Sequence, residues 1–166
     1  MSTEPLIIDF GNTKDGHNWT PVNDTVMGGA SHSSTTLTST SLLFKGDVSL
    51  ENNGGFASIR SADGLYDLSK FTKVSIRFKS KGRRFALRLA EANSTVRANY
   101  KHHFSSSTEN WEERTMQLAN FKYYHKGAMT EQNSKEGLVT IVRIGLILSD
   151  GQEGPFELEI DNINFS

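Results

Sequence analysis

The chain has 166 residues, enough for one hydrophobic core and too few for two comfortable domains. Apolar residues make up 36% and charged residues 22%, and 18 Lys and Arg against 19 Asp and Glu leave a formal net charge of −1. That is a globular composition, and it argues against a general polyanion binder. Cysteine is absent, which excludes disulfides, thiolate metal sites and cysteine nucleophiles.

Taken in chain order, MSTEPLIIDF has neither the basic start and long apolar run of a signal peptide nor the Arg-rich character of a transit peptide. No apolar run reaches the roughly 18 residues of a membrane-spanning helix. A cytoplasmic protein without membrane insertion is expected. Strands are predicted at 5–10, about 29–38, 42–50 and 55–61. The clearest hairpin pattern follows: in 73–80 Val74, Ile76 and Phe78 alternate with Lys73, Ser75, Arg77 and Lys79. In 84–90 Phe85, Leu87 and Leu89 alternate with Arg84, Ala86, Arg88 and Ala90, and SKGR between the two runs reads as a turn. Further strands are predicted at 96–104, 111–118, 139–149 and 155–165, with 121–137 an irregular surface segment. Strands every 10 to 15 residues and no 3.6-residue stripe predict one all-β sandwich domain over 1–166. Its core would hold Val74, Phe78, Leu87, Leu89, Ile144, Leu146, Leu148, Phe156, Leu158 and Ile160.

Two stretches stand out, WTPVNDTVMGGAS at 19–31 and ENNGGF at 51–56. Asn and Gly tolerate positive φ, and a second glycine lets a chain or ligand approach the backbone. Between them the chain runs out for about ten residues, turns near 39–41 and returns over a similar length. The two glycine turns should therefore meet at one end of the molecule. They read either as interlocked corners sealed by Trp19, Met27 and Phe56, or as a binding edge. The candidate edge residues are Trp19, Asn23, Asp24, Met27, Gly28, Gly29, Glu51, Asn52, Gly54, Gly55 and Arg60.

A second candidate surface is a basic sheet face carrying Arg77, Lys79, Arg84, Arg88, Arg97 and Lys101, provided the strands pair in order. It reads either as a solvated face neutralised by Glu157 and Glu159 or as a groove for an acidic partner or anionic glycan. Nucleic acid is not expected, because the chain is slightly acidic and Tyr100 alternates away from Lys101. His102 and His103 are adjacent and point to opposite faces, so they form no simple metal pair. Asp9 and Asp161, with Asn12 nearby, lie on the first and last strands where a structural calcium would sit; two ordinary exposed aspartates are the plainer reading. Signature loops of hydrolases, nucleotide-binding proteins and zinc proteases are missing, and only a pairing of Asp24 with Glu51 suggests catalysis at all. No enzyme, metal or cofactor is expected.

The pattern W-x-x-V-N-D-x-V-M-G-G-x-S (Trp19–Ser31), followed by F-x-G-x-V-S-L-E-N-N-G-G-F-A-S-I-R (Phe44–Arg60), resembles the complex I intermediate-associated protein 30 family. The likeness extends through Tyr100 to Phe104, Trp111, Phe121 and Gly127 to 145-GLILSDGQEGPFELEIDNI-163. It implies a galactose-binding-like jelly roll, similar to carbohydrate-binding modules such as those of family 11. It also implies a non-catalytic assembly or chaperone-like factor for a membrane respiratory complex, NADH:ubiquinone oxidoreductase, with respiratory-complex subunits as protein partners. The alternative it carries is a carbohydrate-binding module with a jelly-roll cleft. Carbohydrate binding normally needs exposed aromatic platforms, and Trp19 and Trp111 both read as anchors, which favours a protein partner.

Overall fold

The computed structural model of the chain describes residues 4–11, 15–23, 25, 28–91, 98–125, 128–130 and 135–166. The first strands are β1 (Leu6–Asp9), β2 (Thr20–Asn23), β3 (His32–Leu37), β4 (Leu42–Val48), β5 (Ala57–Arg60) and β6 (Lys73–Ser80). They are followed by β7 (Arg84–Glu91), β8 (Ala98–Ser105), β9 (Glu112–Gln117), β10 (Lys122–His125), β11 (Ala128–Thr130), β12 (Ile141–Leu148) and β13 (Gly154–Phe165). Among the described residues they form two antiparallel sheets. Sheet I has the order β3-β4-β13-β6-β9, with β1 along the last part of β13; sheet II has the order β11-β10-β8-β7-β12-β5-β2.

Alternation decides what the sheets bury. All ten core positions expected from the period-2 pattern are buried. Sheet I contributes Val74, Ile76 and Phe78 from β6 and Leu158 and Ile160 from β13. Opposite them, sheet II contributes Leu87 and Leu89 from β7 and Ile144, Leu146 and Leu148 from β12. Edge-to-face rings tie the layers together: Phe78 meets Phe104 at 4.9 Å and Phe85 meets Phe156 at 6.3 Å. Each such contact is worth about 0.5–1.5 kcal/mol beyond the area it buries.

The structure corrects the sequence reading in three places. First, β6 and β7 are not a hairpin. β6 pairs with β13 and β9 in sheet I, whereas β7 pairs with β12 and β8 in sheet II. An alternating strand buries one face whether its successor lies beside it or across the core, so periodicity alone cannot separate the two arrangements. The other two are missed elements. Residues 122–130, read as irregular, contain the β10–β11 hairpin at the edge of sheet II, and β2 lies within the first glycine motif. Both are short, polar edge elements without an apolar alternation to betray them.

What carries the chain from β6 to β7 is Arg83, which is only 8% exposed. Its Nε and Nη2 donate to Asp150 at 2.8 and 2.9 Å, and its guanidinium also donates to the carbonyls of Gln152 at 2.8 Å and Pro155 at 2.9 Å. The crossover is thereby bolted to the β12–β13 turn. The Arg83 hydrogen bonds hold the Asp150 carboxyl below the usual carboxylate range, against the opposing effect of burial. Asp150→Ala would leave a buried guanidinium without its counter-charge and should cost about 3–5 kcal/mol. A depressed native pKa means that the stabilisation is complete above the unfolded carboxylate value and is lost as the pH falls. The gap between wild type and Asp150→Ala in urea unfolding should thus be full at neutral pH and close below about pH 4. A gap independent of pH would contradict this assignment.

Candidate functional site

The two glycine segments do meet. β2 pairs with β5, setting Asn23 opposite Ala57, while β3 pairs with β4, setting His32 opposite Asp47. The chain therefore crosses between the sheets twice, side by side, once from β2 to β3 and once from β4 to β5. Hydrogen bonds stitch the crossings. Ser31, fully buried, donates through Oγ to the Ser49 carbonyl at 3.2 Å and accepts from the Ser49 N–H at 2.9 Å. Ser33 Oγ donates to Asn23 Oδ1 at 2.7 Å. In the second crossing Glu51–Asn53 form a 3₁₀ turn closed by the Gly54 N–H on the Glu51 carbonyl at 2.9 Å. Asn52 there has φ 56°, and Gly55 has φ 130°, a region open to glycine.

These placements sort the candidate edge residues. Trp19 is core, only 5% exposed, with its ring edge-to-face on Phe10 at 5.2 Å. It is an anchor, not a platform. Asn23 is engaged with Ser33. Gly28, Glu51 and Asn52 are exposed, whereas Gly29, Gly54 and Gly55 are half-buried. Asp24 and Met27 lie outside the described residues, as do Arg97 and Asn12. Asp9 and Asp161 are on paired strands, but Asp161 faces Arg77, its Oδ2 lying 3.2 Å from Nε. Among the described residues no group of three or more His, Asp or Glu gathers as a metal site.

The expected basic face divides between the two sheets. On sheet I three cations stand opposite carboxylates: Lys45 opposite Glu157, Lys79 opposite Glu159 and Arg77 opposite Glu113. Arg77 also pairs with Asp161, and its guanidinium lies over the Trp111 ring at 5.3 Å. The wide hollow of about 770 Å³ on this side is lined by Lys45 and Lys81 but also by Asp47 and Glu157, so it is close to neutral.

Sheet II is different. Register places Arg60 of β5, Gly145 of β12, Arg88 of β7, Lys101 of β8 and Lys122 of β10 in one row on its outer face. Arg143, two residues from Gly145, shares that face. No carboxylate occupies a described strand position there. A hollow of about 450 Å³ opens above the row, lined by Arg60, Arg88, Arg143 and Ala90 and closed at one end by Val22 and Phe56. Val22 lies in β2 just before the first crossing and Phe56 closes the second just before β5, so the corners also border a cavity. Gly145 is its floor, where a Cβ would come within 2.7 Å of the Ile59 carbonyl oxygen.

Burial first, and crowding second, lowers the pKa of cations here. Burial, then the neighbouring Arg143, lowers Arg60; burial, then Arg88, lowers Lys101; burial, then Arg84 and Lys101, lowers His103. Asp63 lies 3.4 Å from Arg143 Nε, and its side chain is 82% exposed. Lys101 also sits 4.4 Å over the ring of Tyr124, an aromatic of the same face. Arg143, Gly145, Phe56 and Tyr124 were missed as site residues. The visible clue was Arg143 and Gly145 at i and i+2 in an otherwise apolar run.

A family model described as Complex I intermediate-associated protein 30 (CIA30) matches residues 8–160, nearly the whole chain. The chain belongs to that family. At family level the match supports an assembly-factor role. Among solved structures, the chain is similar to the family 11 carbohydrate-binding module of a cellulosomal cellulase of Clostridium thermocellum. The TM-score is 0.75 at 16% identity, covering 99% of this chain and 95% of that one. A Clostridium thermocellum family 11 module in complex with a β-1,3-1,4-mixed-linked tetrasaccharide gives 0.72 at 17% identity, covering 99% and 96%. An exo-β-agarase gives 0.60 at 15%, covering 99% of this chain and 25% of that enzyme. At these identities the likeness establishes the jelly-roll sandwich and no more.

Asn23→Ala removes the bond to Ser33 that ties the two ends of the first crossing together and should cost about 1 kcal/mol, a fall of about 2–4 °C in Tm for a chain of this size. Calorimetry measures it, and an unchanged Tm would show that the crossings do not rely on this bond.

Proposed function

We propose that this chain is a non-catalytic binding protein that acts as an assembly factor for a membrane respiratory complex, using residues 1–166 as one binding domain. The observation that carries the reading is the family match over 8–160. The working surface we assign is the outer face of sheet II, where a cavity of about 450 Å³ lies over a row of cations and no carboxylate occupies a described strand position of that face. Sheet I is the less suitable face, because Lys45, Lys79 and Arg77 already stand opposite carboxylates. Among the described residues no helix is long and apolar enough to cross a membrane.

A glycan is the competing occupant, since solved structures of this shape include carbohydrate-binding modules. Against it, neither tryptophan lies on sheet II's outer face, and Tyr124 is covered on one side by Lys101.

Capture from detergent-solubilised membranes of the source cell tests the reading. Immobilised chain should enrich subunits of NADH:ubiquinone oxidoreductase, and Ala90→Trp, which fills the hollow while keeping every cation, should lose them. Recovery of no respiratory subunit, together with binding of a mixed-linked glucan tetrasaccharide, would replace this function with the glycan-binding one.

A further inference from the structure

The row that crosses the outer face of sheet II is interrupted at Gly145, and the interruption is a slot. Arg60 on β5 and Arg88 on β7 both stand opposite Gly145 on β12, so two arginines flank a position without a side chain. Neighbouring strands lie about 4.8 Å apart, which sets the two arginine stems about 9.6 Å apart at the sheet surface. Carbon atoms in contact lie about 3.5–4.0 Å from one another, so one flat ring between two flat groups needs about 7–8 Å, and two stacked rings about 10.5 Å or more. The slot has the width of a single ring.

Its walls are of two kinds. Ala90, Val22 and the half-buried Phe56 are apolar, while Arg60, Arg88 and Arg143 bring guanidinium groups to the same hollow. An aliphatic chain would suit the apolar walls but strip water from the guanidiniums without return. A planar aromatic ring suits both, because guanidinium groups stack on its face and alkyl groups pack against it. The chain already makes this contact within itself, where the Arg77 guanidinium lies over the Trp111 ring at 5.3 Å. Stacking uses the flat faces of the arginines. Their in-plane N–H groups keep whatever acceptors they have, so the fit holds whether or not the cations are paired with acids.

We propose that this slot receives an aromatic side chain, Trp or Tyr, of the partner protein. The inference rests on the binding function assigned above and names the group by which the partner is held. Protein interfaces concentrate their binding energy in aromatic anchors seated in pockets and ringed by other contacts. The hollow of about 450 Å³ also holds more than one ring, which leaves room for the backbone that carries it. Gly145 fits the same purpose. A side chain there would fill the slot, and its Cβ would press on the Ile59 carbonyl oxygen at 2.7 Å.

The test titrates the whole chain with N-acetyltryptophanamide, a neutral stand-in for the partner's side chain, and follows the backbone amide signals by heteronuclear NMR. The Gly145 and Ala90 signals should shift. N-acetylcyclohexylalanine amide, apolar but without a π face, should bind about fivefold or more weakly. Arg60→Lys keeps the charge and removes the flat face, and it should weaken tryptophanamide binding about two- to fivefold. Lys79→Ala on sheet I should leave binding as it was. The cyclohexyl comparison needs no variant, so it decides the matter even if Arg60→Lys fails to fold by circular dichroism. No shift at Gly145, equal binding of the two amides, unchanged binding by Arg60→Lys, or tighter binding of adenosine, a free planar ring, would each overturn the proposal. If the tryptophanamide does not bind yet respiratory subunits are still captured, the inference fails alone; if it binds but no subunit is captured, the assembly function fails alone.

Discussion

Everything in this molecule follows from one packing constraint. Each strand has a single apolar face, and the two sheets must press those faces together, leaving two outer faces for most of the charged side chains. Phe78 against Phe104 and Phe85 against Phe156 mark where the layers interlock. Once the core is closed in this way, a cation's environment depends on which sheet its strand has joined, not on its distance along the chain. Arg77 and Arg88 are close in sequence and end on opposite sides of the protein.

That separation gives the two sides unlike characters. Sheet I interleaves Lys45, Lys79 and Arg77 with Glu157, Glu159, Glu113 and Asp161, so its field largely cancels. Sheet II gathers Arg60, Arg88, Arg143 and Lys101 on a face where no carboxylate occupies a described strand position, and places a hollow above them. A chain with a net charge of −1 thus keeps a cationic cavity on one face. The glycine crossings belong to the same design. They turn the chain between layers, and in doing so they bring Val22 and Phe56 to the end of that cavity. Corner and site are one piece of structure.

Much of this was legible beforehand. The all-β sandwich, the buried alternating residues, the β3–β4 hairpin and the meeting of the glycine turns came from periodicity and strand length, which are local properties. What stayed hidden was the sheet that each strand joins. Val74, Ile76 and Phe78 look the same whether β7 lies beside them or across the core, and the deciding contact, Arg83 with Asp150, links positions 67 residues apart. The site suffered from the same blindness. Arg88 was picked out for its alternation, but its grouping with Arg60 and Arg143 depends on the β7-β12-β5 order, and so on long-range pairing. Trp19 was the opposite case: a residue type suited to binding, spent on the core.

The most direct test of the two-face account is photo-crosslinking in the living source cell, with a photoreactive amino acid placed at His103 on sheet II or at Lys79 on sheet I. The account predicts protein adducts from position 103 and none from position 79. Adducts from position 79 alone, or none from either, would contradict it.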